Sequence, residues 1–332
     1  MDINNIIENI YLTVQSHRLD AEGKYSRWIW QNKEGNRDLG INEYGCADAA
    51  NILYTIGRFP QSSEKRNAWV KVLQGFQNSD TGLFYEETHH NIHTTAHCIA
   101  ALELFDEKPL YPLTALKKYS DKKGLYELLD NLDWKNNPWP QSHQGAGIYA
   151  SMKLTDSIDE KWEEAYFDWL WNNADPETGF WKKGSFKNGT APLFHSMGGA
   201  FHYLFNLEYA HMPLRYPEKM IDSCIELYTK DEIGVDFGHR INFLEIDWVY
   251  CLNRASRQTS YRFDECKNIL NDFAEEYVGF LNNLNIKEDD RFNDLHFLFG
   301  ATCCLAELQQ ALPGEIRTRK PLKLVLDRRP FI

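Results

Sequence analysis

Several things are missing from this chain of 332 residues. No run of 18 apolar residues occurs, so no segment reads as a helix that spans a bilayer. The start, Met1-Asp2-Ile3-Asn4-Asn5, has neither the basic cluster nor the apolar stretch of a signal peptide, which predicts a soluble, cytoplasmic protein with no membrane partner. Positive charge is in deficit: 36 Lys and Arg stand against 48 Asp and Glu, a net charge of -12. A field of that sign works against phosphate backbones, so nucleic acid is excluded as an expected partner. Cysteine is sparse and unpatterned, seven residues at 46, 98, 224, 251, 266, 303 and 304 with no CxxC spacing, which points away from a disulfide framework and a zinc ribbon. What is abundant is aromatic surface, 14% of the chain, with 10 Trp, 17 Tyr and 19 Phe, more than packing between helices needs and a source of flat faces for a ligand.

The chain repeats itself. Six segments, 43–50, 93–102, 143–150, 195–202, 245–252 and 296–305, each begin with His or Glu and continue in small and apolar residues. The intervals between their leading residues are 50, 50, 52, 50 and 51, a spacing too even for chance. Each segment is apolar nearly all round and rich in Gly, Ala, Ser or Cys, which predicts an inner helix packed on several sides. Between them, 3–10, 69–76, 125–132, 162–170, 221–228 and 269–280 carry apolar residues at helical spacing on one face and predict outer helices. Twelve helices alternating outer and inner make an all-α protein of six helical hairpins, one domain over 1–312. Both the first and last inner segments are as apolar as the middle ones, whereas an open array carries polar capping repeats, so closure into a ring is expected. After Pro313-Gly314 comes a basic tail, 313–332, whose run from Leu322 to Leu326 predicts a strand or strap across the outside.

This pattern resembles the α/α toroids, meaning the six-hairpin glycosidases and the terpenoid cyclase and prenyltransferase group, at the level of architecture over residues 1 to about 312. The turns at 77–84, with Gln77, Gly82 and Phe84, and at 173–181, with Asn173, Gly179 and Trp181, look like the Gln-to-Gly-x-Trp turn of the cyclase group, a structural device. The resemblance implies an (α/α)6 toroid and a site at the mouth formed by the N-termini of the inner helices. Neither a DxDD acid motif nor a DDxxD diphosphate motif is present, which leaves terpenoid chemistry without its acid.

If the ring closes, its leading residues Glu43, His93, His143, His195, Glu245 and His296 face one mouth. A Glu at a helix start is explained by capping and the positive end of the helix dipole, but His is a poor cap and its charged form is disfavoured there, so four in register point to a site. The aromatic faces suit stacking on sugar rings, and the expected function is that of a carbohydrate-active enzyme taking a small molecule or oligosaccharide. Hydrolysis needs two carboxyls facing the bond, and Glu43, Asp48, Glu245 and Asp247 are the candidates, with Glu86 or Glu87 reaching in from a loop. A lyase acting on a uronic acid would use His195 as base with Tyr203 or Tyr250 as acid and Arg240 to hold the carboxylate, and His93 is a further catalytic candidate in the ring. Trp139, Tyr85, Trp181, His143, His296 and Asp48 complete the expected binding surface, with His97 one turn after His93 on the wall and His89 and His90 in the solvent-facing loop. An isoprenoid-handling enzyme and a non-catalytic scaffold are the alternative readings. The His and Glu residues are ordinary metal ligands, yet helix ends spread round a ring stand mostly too far apart to share one ion, and no metal or other cofactor is assigned. Asp222 and Cys224 resemble the Asp-x-Cys zinc pair of protein prenyltransferases but fall on an outer helix.

Overall fold

The computed structural model describes residues 1–234, 236–285 and 289–332. Those residues are all-helical, with isolated β-bridges and no strand among them. The inner segments form α2 (Glu43–Thr55), α4 (Asn91–Glu103), α6 (Pro138–Leu154), α8 (Leu193–Tyr209), α10 (Leu244–Ser256) and α12 (Leu295–Ala311). The amphipathic stretches form α1 (Asn4–Ser16), α3 (Ser63–Gly75), α5 (Lys122–Asn131), α7 (Glu160–Asn173), α9 (Pro217–Thr229) and α11 (Phe263–Asn282). No helix of the described residues is long and apolar enough to cross a membrane.

The inner helices are buried over almost their whole circumference. In α10 every residue from Leu244 to Ser256 is buried, whereas α5 buries only Leu125, Leu128 and Leu129, one stripe at helical spacing. Packing follows the repeat: α2 lies on α4, α4 on α6, α6 on α8, α8 on α10, α10 on α12, and α12 returns to α2. Small residues permit the close approaches. A Cβ on Gly45 would stand 2.5 Å from the Ser26 carbonyl carbon, so the chain before α2 can cross this helix only there. The two glycine turns recur as rigid corners. Gly82 has φ +74 and Gly179 φ +77, and the Gln77 amide ties the first corner by donating to the carbonyls of Gly82 and Tyr111 at 2.8 Å. All seven cysteines are buried and unpaired.

The tail departs from expectation. Instead of a strap across the outside, residues from Leu324 onward turn inward, with a short helix α13 (Val325–Arg328) packed on α2 and α8. Arg329, Pro330, Phe331 and Ile332 are all buried. The tail enters at the C-terminal ends of the inner helices, where Lys323 donates its amide to the Thr55 carbonyl at 2.9 Å and Arg328 bonds Glu103 and Asp106 at 2.8 Å. Arg254 fastens the same end, paired with Glu307 at 2.6 Å, Asp327 at 2.8 Å and Glu208 at 3.0 Å. The physical reason lies in the sequence Leu326-Asp-Arg-Arg-Pro-Phe-Ile332: its apolar end removes more surface from water among the inner helices than it could against the outer layer.

Candidate functional site

The first turns of α4, α6 and α12, the residues just before α10, and the middle of α8 border a cavity of about 340 Å³, lined by His89, His93, Trp139, Pro140, His143, His202, Asn242, Phe243, His296, Phe297 and Ile332. Its position follows from local sequence. Pro138 opens α6 without needing an amide partner, which brings Trp139 and His143 onto the first turns of the helix. Trp139 then lies flat against α8 because residue 198 is glycine; a Cβ there would come within 2.8 Å of the indole. The helix starts are capped by other residues: Asn42 caps α2, His90 caps α4 and Asp294 caps α12. The imidazoles of His93 and His296 are thereby released from capping and point inward.

Four imidazoles approach one another across this space. The ring centroids of His93 and His143 are 4.3 Å apart, and those of His143 and His202 are also 4.3 Å apart. Hydroxyl groups hold two of the rings. The Tyr44 hydroxyl, kept protonated because burial pushes its pKa well above the usual value, lies 2.6 Å from His93 Nδ1 and 3.4 Å from the Thr94 hydroxyl. The Ser142 hydroxyl lies 2.6 Å from the Trp139 carbonyl and 2.7 Å from His202 Nδ1. Burial depresses all of these rings: His93 and His143 lie well below the ordinary value, and His202 falls to about 3. All are therefore neutral at pH 7, offering both N–H donors and lone pairs.

Beneath His296 lies Asp48, fully buried on α2. Its carboxylate accepts from His97 Nε2 at 2.8 Å and from His296 Nδ1 at 3.1 Å. Burial works against the charged form, but His296 and His97 outweigh it and hold the carboxyl well below its usual range. Tyr44 stacks on His97 at 4.8 Å and meets His296 edge-on at 4.7 Å, joining this cluster to the cavity wall.

The residues expected from the sequence separate into two groups. His93, His143, His296 and Trp139 line the cavity, with Asp48 and His97 directly behind. Glu43, Tyr85, Trp181, His195, Arg240, Glu245 and Asp247 do not line it. Glu43 is partly exposed at the first turn of α2. Glu245 is enclosed, one oxygen accepting from the Gly238 amide at 3.2 Å, and burial raises its pKa to about 7. Both oxygens of Asp247 are buried and without a hydrogen-bond partner, and burial raises that carboxyl far above its usual range. His195 sits half-buried beside Phe194, and Tyr85 is exposed with its hydroxyl on Thr81. Trp181 is fixed by its indole N–H to the Leu170 carbonyl at 2.7 Å. Asp222 engages Arg262 at 2.9 Å.

Sequence reasoning placed His89 in solvent, but it stacks on His93 at 4.6 Å and on Tyr44 at 4.7 Å. It missed His202 and Tyr44, although His202 stands two turns after His195 on the same inner segment, where the helical period repeats the face. A larger groove of about 720 Å³ lies elsewhere, lined by Tyr149, Lys153, Glu163, Trp171 and Arg215 among others. Within it Glu163 accepts from Lys153 and Tyr149 at 2.7 Å each, and no imidazole is among its described lining residues. No protein-family model, curated protein or solved structure matches this chain.

Proposed function

We propose that the six inner helices close into an (α/α)6 toroid of helical hairpins, and that the protein is a carbohydrate-active enzyme working by imidazole proton transfer in the histidine-lined cavity. The cyclic order of helix packing supports the first part. The single observation that carries the second is the set of neutral imidazoles in one small space, each able to present an N–H and a lone pair: His93 and His202 flank His143, both with ring centroids 4.3 Å from it. A neutral imidazole N–H polarises a carbonyl oxygen without surrendering its proton, and a neighbouring lone pair receives a proton from the adjacent carbon. A cavity near 340 Å³ holds one or two sugar rings, which stack on Trp139 and Phe243 while their hydroxyls bond to the ring nitrogens and to Asn242.

Two features steer the reading within the carbohydrate class. Paired-carboxylate hydrolysis requires acids on both sides of the bond, and among the described residues the cavity wall carries none. A uronic acid needs a cation for its carboxylate, and Arg240 stands away from the wall. The substrate class favoured is therefore a small neutral sugar with a carbonyl, and the reaction class is proton transfer at the carbon beside it. The test is incubation of the protein with aldoses and ketoses in heavy water, followed by proton NMR. Loss of the signal from the proton next to the carbonyl, abolished by His202→Asn, is the expected result. Hydrolysis of a glycoside without exchange, or no exchange across the panel, would sink the proposal.

A further inference from the structure

The Asp48 cluster has a geometry that the proton-transfer reading does not use. Three inner helices, α2, α4 and α12, each send one side chain to the same buried point, and ligand atoms of Asp48, His97 and His296 all lie within 4.8 Å of one another. The nitrogens facing the carboxylate are 2.8 Å and 3.1 Å from it. Donors that share one ion at about 2.0–2.2 Å stand roughly 3.0–3.5 Å apart, close to what is seen. We propose that Asp48, His97 and His296 bind a divalent transition-metal ion, zinc or iron(II), through one carboxylate and two imidazoles.

The contacts are consistent with this. Asp48 is completely enclosed, and among the described residues its hydrogen-bond partners are the imidazoles of His97 and His296. Two arginines lie within electrostatic reach of Asp48 without touching it. Arg27 forms a two-pronged pair with Asp294 at 2.9 and 3.0 Å and lies 3.6 Å from Glu86, while Arg329 donates to Asn51 at 2.5 Å and keeps its Nε and Nη1 without a hydrogen-bond partner. A buried carboxylate is costly unless it is paired, and an ion held between it and the two imidazoles puts a cation in direct contact with it. Nitrogen and carboxylate donors in this ratio suit zinc and iron(II) better than calcium or magnesium, which prefer oxygen throughout. No net proton is lost from the imidazoles on binding. Each ring moves its hydrogen to the other nitrogen, so that His97 and His296 turn lone pairs to the ion and His296 presents Nε2–H at the cavity wall.

The inference stands apart from the sugar reading, since its readout is metal content rather than turnover. The full chain would be stripped with chelator, reconstituted separately with Zn²⁺, Fe²⁺ under anaerobic conditions, and Co²⁺ as a spectroscopic probe, then desalted and analysed by elemental mass spectrometry and visible absorption. One retained equivalent with cobalt d–d bands is expected, and His97→Gln and His296→Gln each weaken retention by at least about tenfold, the loss that even an outer partner's removal brings. His143→Gln keeps the ion. Circular dichroism establishes that each variant is folded, and having two ligand variants on separate helices guards against one that is not. No retained ion in any arm, or retention that survives both ligand substitutions and so reflects an adventitious ion only, overturns the proposal.

Discussion

Asp48 and Asp247 form a natural comparison. Both are fully buried on inner helices, α2 and α10, near their N-terminal ends. Asp48 accepts from two imidazoles and is held ionised, whereas both oxygens of Asp247 lack a hydrogen-bond partner and its proton is retained. The same side chain is thus an anchored charge on one side of the helix array and a neutral polar group sealed in apolar packing on the other. What separates them is the partner supplied by the neighbouring helices: His97 and His296 beside Asp48, Cys251 and Cys304 within electrostatic reach of Asp247. Acidic residues at helix starts are therefore poor guides to chemistry unless the facing helix is read with them.

The sharpest way to break this comparison is to remove each charge in turn. Asp48→Asn in the metal-free chain is expected to cost about 4 kcal/mol in urea unfolding, because it breaks a buried hydrogen-bonded ionic cluster. Asp247→Asn changes stability by less than about 1 kcal/mol at pH 7, since it replaces one neutral unpartnered group by another. Equal costs would remove the distinction.

The apolar end of the tail belongs to the Asp48 side. Phe331 packs on His93 at 4.9 Å and on Phe205 at 5.6 Å, closing the cavity from below together with Ile332. Phe331→Ala should lose about 3 kcal/mol by leaving a void among the inner helices. Its control is Leu12→Ala: Leu12 is 50% exposed on α1, and its truncation should be nearly silent. A silent Phe331→Ala would place the tail back on the outside.

Glu245 extends the comparison to pH. Its carboxyl titrates at about 7 in the folded protein against 4.5 ordinarily, so between those values the native state keeps a proton that the unfolded chain has released. Its ionisation therefore lowers stability as pH rises through that window, by at most about 3 kcal/mol once the shift is complete. Glu245→Gln should raise stability relative to the parent at pH 8 and leave it unchanged near pH 4. A difference of the same size at both pH values would show that the enclosed carboxyl is not what titrates. Gly198→Ala should cost about 2 kcal/mol from overpacking against Trp139, with a shift in tryptophan fluorescence as the indole is displaced.

Much of the helical arrangement was legible before any coordinates. The six leading residues fall at or within about one turn of the observed helix starts: Glu43 begins α2, His93 follows Asn91, and His296 follows Leu295. The period survives because each inner segment must be small and apolar to pack on its neighbours. His143 is the poorest marker, since Pro138 supplies an earlier start that the His-led pattern ignores. The cavity lining was legible in part. Histidines in register led to His93, His143 and His296, which line it, while His195, chosen by the same rule, sits half-buried beside Phe194 and 5.9 Å from the Trp139 ring. Glu245 and Asp247 looked equivalent to Asp48 because sequence spacing fixes position along a helix and is silent about the residue opposite. His202 and Tyr44 required their contacts with Ser142 and His93, which only the three-dimensional structure reveals. The tail was misjudged because its basic residues suggested an outer surface, while Arg254, Glu103 and Asn51 together draw it inward.

The central claim is that chemistry resides with the imidazoles and not with the enclosed carboxyls. It is tested most directly by measuring solvent-deuterium incorporation into a neutral sugar with His202→Asn and Glu245→Gln side by side, each checked for folding. The account predicts incorporation that persists in Glu245→Gln and falls by about 10²-fold or more in His202→Asn, the contribution of one positioned proton-transfer group. Activity that survives His202→Asn and disappears in Glu245→Gln would contradict it and return the site to the carboxylates.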